Sequence, residues 1–436
     1  MAEIGPFRGV RYNPARVKDP AAVICPPYDI ITPQMEQELY HRSDYNFVRL
    51  ESSRELPPDT ATDNKYRRAA ATLEQWLEEG ILRVDRTPAV YLHDHHFIHA
   101  GQSYRRRGMT VRVRLEPWDR RVVRPHEGTL AAPKNDRLRL LWTLQADISP
   151  IFSLYDDPGQ GVARALAAQA QAGPAVDFTM TGGERHQLWP VTAPEAVREI
   201  CRCLADQPLY IADGHHRYES ALLYQSQRRA GSPPASADQP FDFVMMTLVP
   251  FNDPGLVILP PHRLVRGIPR GRLEGLTARL EAFFDIEEIP LEAADIWPRV
   301  DGWLEADNAA TSLLLFGLAP DRLLRLRLKD QAAASQMMPC FHTDLYKRLE
   351  VSLVDHVILE ELLGLNDRGA EAIAYNHDRQ EAIDQVRSGE YQLALLLKPI
   401  KPGVIKAIAD AGDRMPRKST YFHPKLPSGL VFYRLV

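Results

Sequence analysis

The sequence is poor in cysteine and has no long hydrophobic run. None of its four cysteines forms a pair separated by two residues, the spacing of many zinc sites, and we expect reduced thiols. The first residues, MAEIGPFRGVRYNP, lack the apolar core of a signal peptide. No apolar run approaches the roughly 20 residues of a membrane-spanning helix. These absences favour a cytoplasmic protein without a membrane partner.

A strong charge imbalance and several common catalytic motifs are also missing. The net charge is −4 with a pI near 6.4, so we expect no nucleic-acid partner. The chain has no P-loop, no G-x-S-x-G elbow and no H-E-x-x-H helix. The commonest ATPase, hydrolase and zinc-protease classes therefore lose their support.

What is present indicates an ordinary folded protein of 436 residues, with 44% apolar and 25% charged residues. Strand and helix patterns mix throughout, which predicts a mixed α/β (α+β) fold. Domain borders are weakly marked. We place an N-terminal region with the PPYD and PHEGT motifs at 1–160, a DGHHR region at 161–265 and a C-terminal region ending in KSTYF at 266–436. The oligomeric state is left open.

Several elements follow from local patterns. In chain order these are a helix over 68–80, two strands around a turn at Ala100-Gly101, a helix over 133–147, a strand over 209–212 that leads into a helix, a buried strand over 240–251, one helix over 270–285, and a strand, helix and strand over 372–400.

The segment ADGHHRYES is the first candidate site, because it joins a predicted strand to a helix start. Free N–H groups at a helix start favour an anion, Gly214 allows close approach to the backbone, and Arg217 offers a planar fork for phosphate. His215 or His216 can donate hydrogen bonds to a phosphoryl group or carry a proton. The alternative is that Asp213 caps the helix and the rest is solvated. A phosphate cradle accounts for more of the motif than a cap or a metal site.

The segment VVRPHEGTLAAPKNDRLRLL is the second candidate. Glu127 stands beside the hydroxyl of Thr129, with Lys134 and Arg137 close behind. This combination suits a divalent metal or the activation of an alcohol. The alternative is a polar loop that leads into a helix.

The third candidate is DRMPRKSTYFHPKLPSGLVFY, a proline-broken basic segment. Lys418, Ser419, Thr420 and Lys425 are typical of an anion-binding arm, in which lysines act as point charges on phosphate. A solvated basic loop is the alternative.

Two carboxylates lie in shorter segments. Asp29 follows Pro26-Pro27, which force an extended path, and strand ends often carry catalytic side chains. The alternatives are that Asp29 caps a helix beginning near Thr32 and that Glu51, in DYNFVRLE, is a surface residue.

The segment LHDHHFIH has metal-ligand spacing, because His93, His95 and His99 share one face of a strand. No further histidine or cysteine framework accompanies it in the sequence. We therefore favour a solvated strand face over a metal site.

The chain resembles, from end to end, the bacterial and archaeal family of domains of unknown function numbered 1015. The motifs that carry the resemblance are PPYDII, PHEGT…PKNDRL, SPIFSLYDD, ADGHHRYESAL, LPPHRLV and MPRKSTYFHPKLPSGLV. Membership implies no activity.

The DGHHR turn is more distantly similar to the phosphate-binding turn of the ParB/sulfiredoxin superfamily, which includes free-serine kinases. This similarity implies a ParB/sulfiredoxin-like core with a mixed sheet plus additional α/β domains. Gly214, His215 and Arg217 would then hold donor phosphates. After Arg217 the chain lacks the helix-turn-helix of chromosome-partitioning relatives, giving instead one helix, a loop at 230–240 and a buried strand.

We therefore expect a small-molecule phosphoryl-transfer enzyme, kinase-like or phosphatase-like, with serine or phosphoserine as the first candidate substrate. The alternative is a ParB-type nucleotide-binding regulatory protein. The expected cofactors are Mg²⁺ and ATP, ADP or another phosphate donor. The catalytic candidates are Glu127, His215, His216, Asp213 and Asp29, with Glu127 as the base and Asp213 and Glu127 as Mg²⁺ ligands. The phosphate-binding candidates are Gly214, His215, Arg217, Lys134, Arg137, Lys418, Ser419, Thr420 and Lys425.

Overall fold

The structure is a computed structural model that describes residues 2–231, 237–291, 296–305, 311–365 and 372–436. The centre of the predicted 230–240 loop lies outside these ranges. The chain packs into two compact units. Unit 1 consists of Met1–Pro125, Thr129–Val257 and Pro424–Val436, and unit 2 consists of His126–Gly128 and Ile258–His423. The three-region division of the sequence stays a prediction.

Unit 1 combines a large sheet with helices. Its strands are β1 (Ile4–Gly5), β2 (Val10–Tyr12), β3 (Leu82–Val84), β4 (Val90–His99), β5 (Gln102–Arg114), β6 (Val123–Arg124), β7 (Ala146–Asp147), β8 (Ile151–Tyr155), β9 (Val176–Thr179), β10 (Arg185–Val191), β11 (Leu209–Asp213), β12 (Phe243–Pro250) and a last strand, Tyr433–Arg434. Its α-helices are α1 (Pro33–Arg42), α2 (Val48–Glu51), α3 (Lys65–Glu78), α4 (Ala131–Leu144), α5 (Gly161–Gln169), α6 (Pro194–Leu204) and α7 (His215–Ala230).

The large sheet is mixed, with the strand order β6-β11-β8-β12-β5-β4-β10-β9 and β1 paired to β5. The pairs β11–β6 and β12–β8 are parallel, and the other pairs are antiparallel. The continuous apolar run of β12 is explained by its central place between β8 and β5, and the predicted buried strand is confirmed. The predicted hairpin at Ala100-Gly101 is also confirmed, and both turn residues have a positive φ.

The sheet buries side chains on both faces. Along β4, Val90 and Leu92 pack into one hydrophobic cluster, whereas Tyr91 packs into another. Successive strand residues point to opposite faces, so His93 and His95 share the face of Tyr91. Both histidines are buried, and the prediction that they lie on a solvated face is wrong.

Unit 2 contains a second, antiparallel sheet. The strands are β13 (Val257–Leu259, beginning at the last residue of unit 1), β14 (His262–Val265), β15 (Phe284–Pro290), β16 (Ser312–Phe316), β17 (Arg322–Leu328), β18 (Ile373–Asn376), β19 (Leu393–Leu396) and β20 (Tyr421–His423). The helices are α8 (Arg270–Leu273), α9 (Leu276–Leu280), α10 (Ile296–Glu305), α11 (Gln331–Gln336), α12 (Asp344–Lys347), α13 (Glu350–Ser352), which continues into π-helical Leu353–Leu362, α14 (Arg379–Arg387) and α15 (Pro402–Ala411).

The six main strands of unit 2 have the order β15-β17-β16-β19-β14-β18. The predicted strand, helix and strand over 372–400 are confirmed as β18, α14 and β19, with β14 between the two strands. The single helix predicted over 270–285 is wrong. Gly275 has a φ of 70° and separates α8 from α9, because a left-handed residue ends a helix, and Phe284 already begins β15.

The alternating patterns thus predict the fold class correctly, since the structure is mixed α/β with a mixed sheet. Among the described residues, no helix combines the length and apolarity needed to cross a membrane.

Candidate functional site

The junction between β11 and α7 has the predicted arrangement of strand, glycine turn and helix. β11 ends at Asp213, Gly214 has a φ of 96°, and α7 begins at His215. A Cβ atom at Gly214 would lie 2.9 Å from Nε of Arg217. The space that glycine leaves over this turn is therefore taken by the guanidinium of Arg217.

Asp213 lies between two cations, one from its own motif and one from the far end of the chain. Its Oδ1 accepts from Lys425 Nζ at 2.8 Å, and its Oδ2 accepts from Arg217 Nη2 at 2.8 Å. Lys425 Nζ is also 3.5 Å from Asp29 Oδ2, and Arg217 Nη1 donates to the carbonyl of Pro150. We name Asp29, Asp213, Arg217 and Lys425 the Asp213 cluster; all four belong to unit 1.

The cluster keeps Asp213 ionised. Burial alone would raise the pKa of Asp213, but Lys425 and Arg217 hold it well below its ordinary value. The carboxylate is therefore a strong hydrogen-bond acceptor and a weak base at neutral pH.

A cavity of about 210 Å³ lies next to this cluster in unit 1. It is lined by Tyr28, Glu51, Ser52, Ser53, Lys65, Tyr66, Asp136, Arg137 and Leu140. Tyr28 directly precedes Asp29 of the cluster. A smaller cavity of about 30 Å³ is lined by residues that include Arg137, which it shares with the larger cavity, and Arg217, which belongs to the cluster.

Glu51 brings a buried carboxylate to the larger cavity. The residue is 1% exposed, and its Oε1 accepts from Ser149 Oγ at 2.6 Å and from Tyr28 N at 3.1 Å. Oε2 has no hydrogen-bond partner among the described residues. The alternative that Glu51 is a surface residue is therefore wrong, and the apolar residues just before it in α2 were the available signal of burial.

Cations also face this cavity. Arg137 pairs with Asp136 and stacks over the Tyr28 ring at 3.9 Å, and Lys65 Nζ lies 3.2 Å from Asp136 Oδ1. Burial would raise the pKa of Asp136, but Arg137, the Tyr66 hydroxyl and Lys65 lower it to about 2. Carboxylates and cations together give the cavity the chemistry of a site for a zwitterion.

A broad open groove of about 840 Å³ adjoins the cavity and shares Lys65 and Tyr66 with it. The groove carries Trp142, which is 39% exposed. It is the larger of the two spaces, but its lining does not include the buried carboxylate of Glu51.

The candidates that flank α7 are held by contacts within unit 1. Lys134 Nζ lies 2.9 Å from Glu219 Oε2, which also accepts from Thr129 Oγ1 at 2.6 Å. His216 Nε2 accepts from the backbone N–H of Leu130 at 2.9 Å. Lys134 and His216 thus attach the segment after PHEG to α7, and His215 is buried at the start of that helix. Their proposed roles stay predictions.

Glu127, Ser419 and Thr420 come together within unit 2. Oε1 of Glu127 accepts from the backbone N–H groups of Ser419, at 3.0 Å, and Thr420, at 3.3 Å. Lys418 is exposed and has a φ of 57°. Glu127 therefore organises the KST turn, while its predicted role as a base stays a prediction.

Asp29 does not cap α1, because Thr32 is the cap residue and accepts from Met35 N. The alternative of a capping aspartate is therefore wrong. Asp29 instead faces Lys425 of the Asp213 cluster.

No curated protein matches the chain. Among solved structures it is similar to a conserved hypothetical protein from Pyrococcus furiosus, with 13% identity, a TM-score of 0.34 and coverage of 74% of this chain and 93% of that chain. A free serine kinase in complex with AMP gives 11% identity, a TM-score of 0.34 and coverage of 74% and 92%. SbnI with a C-terminal truncation, from Staphylococcus aureus, gives 12% identity, a TM-score of 0.31 and coverage of 72% of this chain and 83% of that chain.

Similarities as weak as these assign neither an activity nor a ligand to the chain. The sequence comparison is more decisive. The profile of the family described as "Protein of unknown function (DUF1015)" matches residues 4–352, which is most of the chain. The chain therefore belongs to the DUF1015 family.

Proposed function

We propose that the chain is an enzyme that transfers a phosphoryl group to or from a small zwitterionic metabolite, with serine or phosphoserine as the first candidate. The observation that carries the proposal is the pairing of an ionised Asp213, held by Lys425 and Arg217, with an adjacent cavity of mixed charge. Asp213 and Lys425 form the catalytic centre of the proposal, and the cavity holds the metabolite.

The cavity supplies opposite charges for the two ends of an amino acid. The buried Oε2 of Glu51 is suited to accept from an ammonium group. Arg137 and Lys65 supply positive charge for the carboxylate of the metabolite, although the Nε and Nη2 groups of Arg137 already donate to Asp136.

The Asp213 cluster supplies what phosphoryl transfer needs. The transition state is loose, so catalysis depends mainly on positioning and on neutralising charge, and a weakly basic carboxylate is sufficient to orient a hydroxyl or a water. Lys425 would neutralise charge on the transferred group, while Arg217 acts as a positioning residue for Asp213.

Mg²⁺ fits this centre only in part. Both oxygens of Asp213 already accept from a cation, so Mg²⁺ there requires Lys425 to release Oδ1. Mg²⁺ commonly binds one or two carboxylates together with substrate phosphates. We therefore propose that Mg²⁺ enters with the phosphate donor and neutralises its charge, and that the broad groove beside Lys65 receives this donor.

The test is to incubate the purified full chain with Mg²⁺, serine or phosphoserine, and ATP, ADP, CTP or pyrophosphate, and to follow products by ³¹P NMR. We expect transfer or release of phosphate in at least one combination. Glu51→Gln should raise KM by about tenfold, the effect of about 1.4 kcal/mol of lost binding, with a smaller change in kcat.

Asp85→Asn is the matched control. Asp85 pairs with Arg11 in a buried ion pair of unit 1 that contains none of the proposed catalytic or cavity residues. This variant should keep its activity. If no combination gives transfer or release while a nucleotide binds tightly, the chain is instead a nucleotide-binding regulatory protein. If neither reaction nor binding occurs, both functions are overturned.

A further inference from the structure

A group of histidines and one glutamate comes together across two strands of unit 1, apart from the residues used above. β4 and β10 are antiparallel, and their register places His186 directly opposite His95. His93 lies two residues before His95 and shares its face of the sheet. Glu184 directly precedes β10, and its contact with His95 places it on the same face. We name His93, His95, Glu184 and His186 the histidine cluster.

The ligand atoms of three members converge. His95 Nε2 is 2.7 Å from Glu184 Oε2, and His186 Nε2 is 3.9 Å from the same oxygen. One ligand atom from each of the three residues lies within 4.8 Å of the others, and no other such trio of His, Cys, Asp or Glu occurs in the described part of the chain. Nitrogen and oxygen ligands about 2.1 Å from one tetrahedral ion lie roughly 3.4 Å apart. The observed separations bracket this value.

We propose that His95, His186 and Glu184 bind one divalent transition-metal ion, with Zn²⁺ as the probe ion. Two imidazoles and a carboxylate are a donor set that suits zinc and its neighbours. Glu184 is 36% exposed on its side chain, so an ion can enter from that side and keep a water ligand. The inference does not depend on the proposed function, because the Asp213 cluster and its cavity contain none of these residues.

His186 is in the protonation state that metal binding requires, and so is its neighbour His93. Burial lowers the pKa of His186 to about 3 and that of His93 well below its ordinary value, with the charge of Arg106 adding to the effect in both cases. Both rings are therefore neutral at pH 7, and a neutral imidazole has a lone pair for the metal.

His93 is placed to orient a metal ligand. Its Nε2 lies 3.1 Å from His186 Nδ1. When His186 binds the ion through Nε2, its Nδ1–H can donate to His93. A ligand histidine commonly donates its second N–H to such an acceptor, which fixes the ring and its tautomer.

Arg106 sets the proton position on His95 before the metal binds. Its buried guanidinium can only donate, so the contact of Nη2 with His95 Nδ1 at 3.1 Å makes Nδ1 an acceptor and leaves the proton on Nε2, facing Glu184. Binding of the ion at Nε2 moves this proton to Nδ1. The contact of Arg106 Nη2 with His95 is then lost, while its hydrogen bond to the carbonyl of Pro424, at 2.7 Å, is kept.

The test is a titration of the chelator-treated full chain with Zn²⁺, followed by calorimetry, and with Co²⁺, followed by its visible ligand-field bands. We expect one ion per chain. His95→Gln and His186→Gln should each weaken binding by about 100-fold, whereas His93→Gln should weaken it by about tenfold, in the range for a residue that orients a ligand.

His96→Gln is the matched control, because His96 is on the same strand but faces the opposite side, where its Nε2 contacts Gln187 Oε1. This variant should bind the ion as the unmodified chain does. Glu184→Gln should also bind Zn²⁺ more weakly. Because Glu184 is partly exposed, this substitution does not disturb the packing of a buried residue. The proposal is overturned if no ion binds stoichiometrically, or if the His95, His186 and Glu184 variants bind as well as the His96 variant.

Discussion

The Asp213 cluster and the histidine cluster both include residues of the large sheet of unit 1, yet they keep partly or fully buried polar groups in opposite states. Around Asp213, the neighbouring Arg217 and the distant Lys425 keep the carboxylate charged. Around His186, burial keeps the imidazoles neutral. A buried ionisable group needs either a partner of opposite charge or the loss of its own charge, and this one sheet uses both solutions. The first suits catalysis with charged substrates, and the second suits metal binding.

The largest effect is expected from removing the negative charge of Asp213. Asp213→Asn should abolish most activity and lower the free energy of unfolding by about 3 kcal/mol, because Arg217 and Lys425 lose their common partner in a partly buried place. Activity assays and urea unfolding measure the two effects. Asp85→Asn should destabilise unit 1 without loss of activity, and equal loss of activity in both variants would contradict a catalytic role for Asp213.

The two clusters also differ in how far sequence alone could predict them. Gly214 and Arg217 belong to one contiguous motif whose strand, turn and helix follow from local propensities, so this part was predictable. The contact between Asp213 and Lys425 joins residues more than 200 positions apart, and only the packing of the last strand region into unit 1 creates it. The segment LHDHHFIH was visible in the sequence, but its partners stand on β10. Without the β4–β10 register, His186 could not be recognised as the residue opposite His95.

The same limit applies to side-chain burial. The carboxylate of Glu51 is buried because Ser149 and the backbone of Tyr28 pack against it, and neither contact is local in sequence. Lys134 was a reasonable phosphate candidate from its spacing. Its salt bridge with Glu219 depends on the packing of α4 against α7, which helix periodicity does not reveal.

The next largest effect is expected in the pH dependence of stability, which should differ between the two clusters. His186 has a lowered pKa in the folded chain, about 3 against 6.5. The unfolded chain therefore binds more protons below pH 6.5, and the stability contributed by neutral His186 is lost as pH falls. From pH 7.5 to pH 5 this amounts to about 2 kcal/mol. Asp213, whose pKa is lowered from 3.8, should contribute no slope in this window and lose its contribution only at lower pH.

Urea unfolding of the unmodified chain and of His186→Gln, at several pH values, measures this slope. Burial raises the pKa of Asp147 to about 7, which gives the opposite slope, but this effect is common to both proteins and cancels in their difference. A pH-independent difference between them would show that His186 is not held neutral by the fold.

Gly214→Ala should have a smaller effect and tests the turn that orients Arg217. A positive φ costs an alanine on the order of 1 kcal/mol, and the new Cβ would also meet Arg217 Nε at 2.9 Å. Gly101→Ala is the matched control, because Gly101 has a φ of 77° and nothing within 4 Å of an added Cβ. Urea unfolding should show a larger loss for Gly214→Ala, together with reduced activity. Equal losses and full activity would mean that the Arg217 contact does not matter.

The smallest effect is expected at Arg185, which lies between the two proposed metal ligands Glu184 and His186 in the sequence. Its side chain points to the other face of β10 and pairs there with Asp177, where both side chains are substantially exposed, at 49% and 35%. Exposed ion pairs contribute little to stability, so Asp177→Asn and Arg185→Gln should leave unfolding and Zn²⁺ affinity unchanged within error. If either variant weakens Zn²⁺ binding as strongly as His186→Gln, the ion is bound on the face of Arg185 and not on the face of the histidine cluster. The alternation of β10 therefore provides a direct test of which face holds the metal.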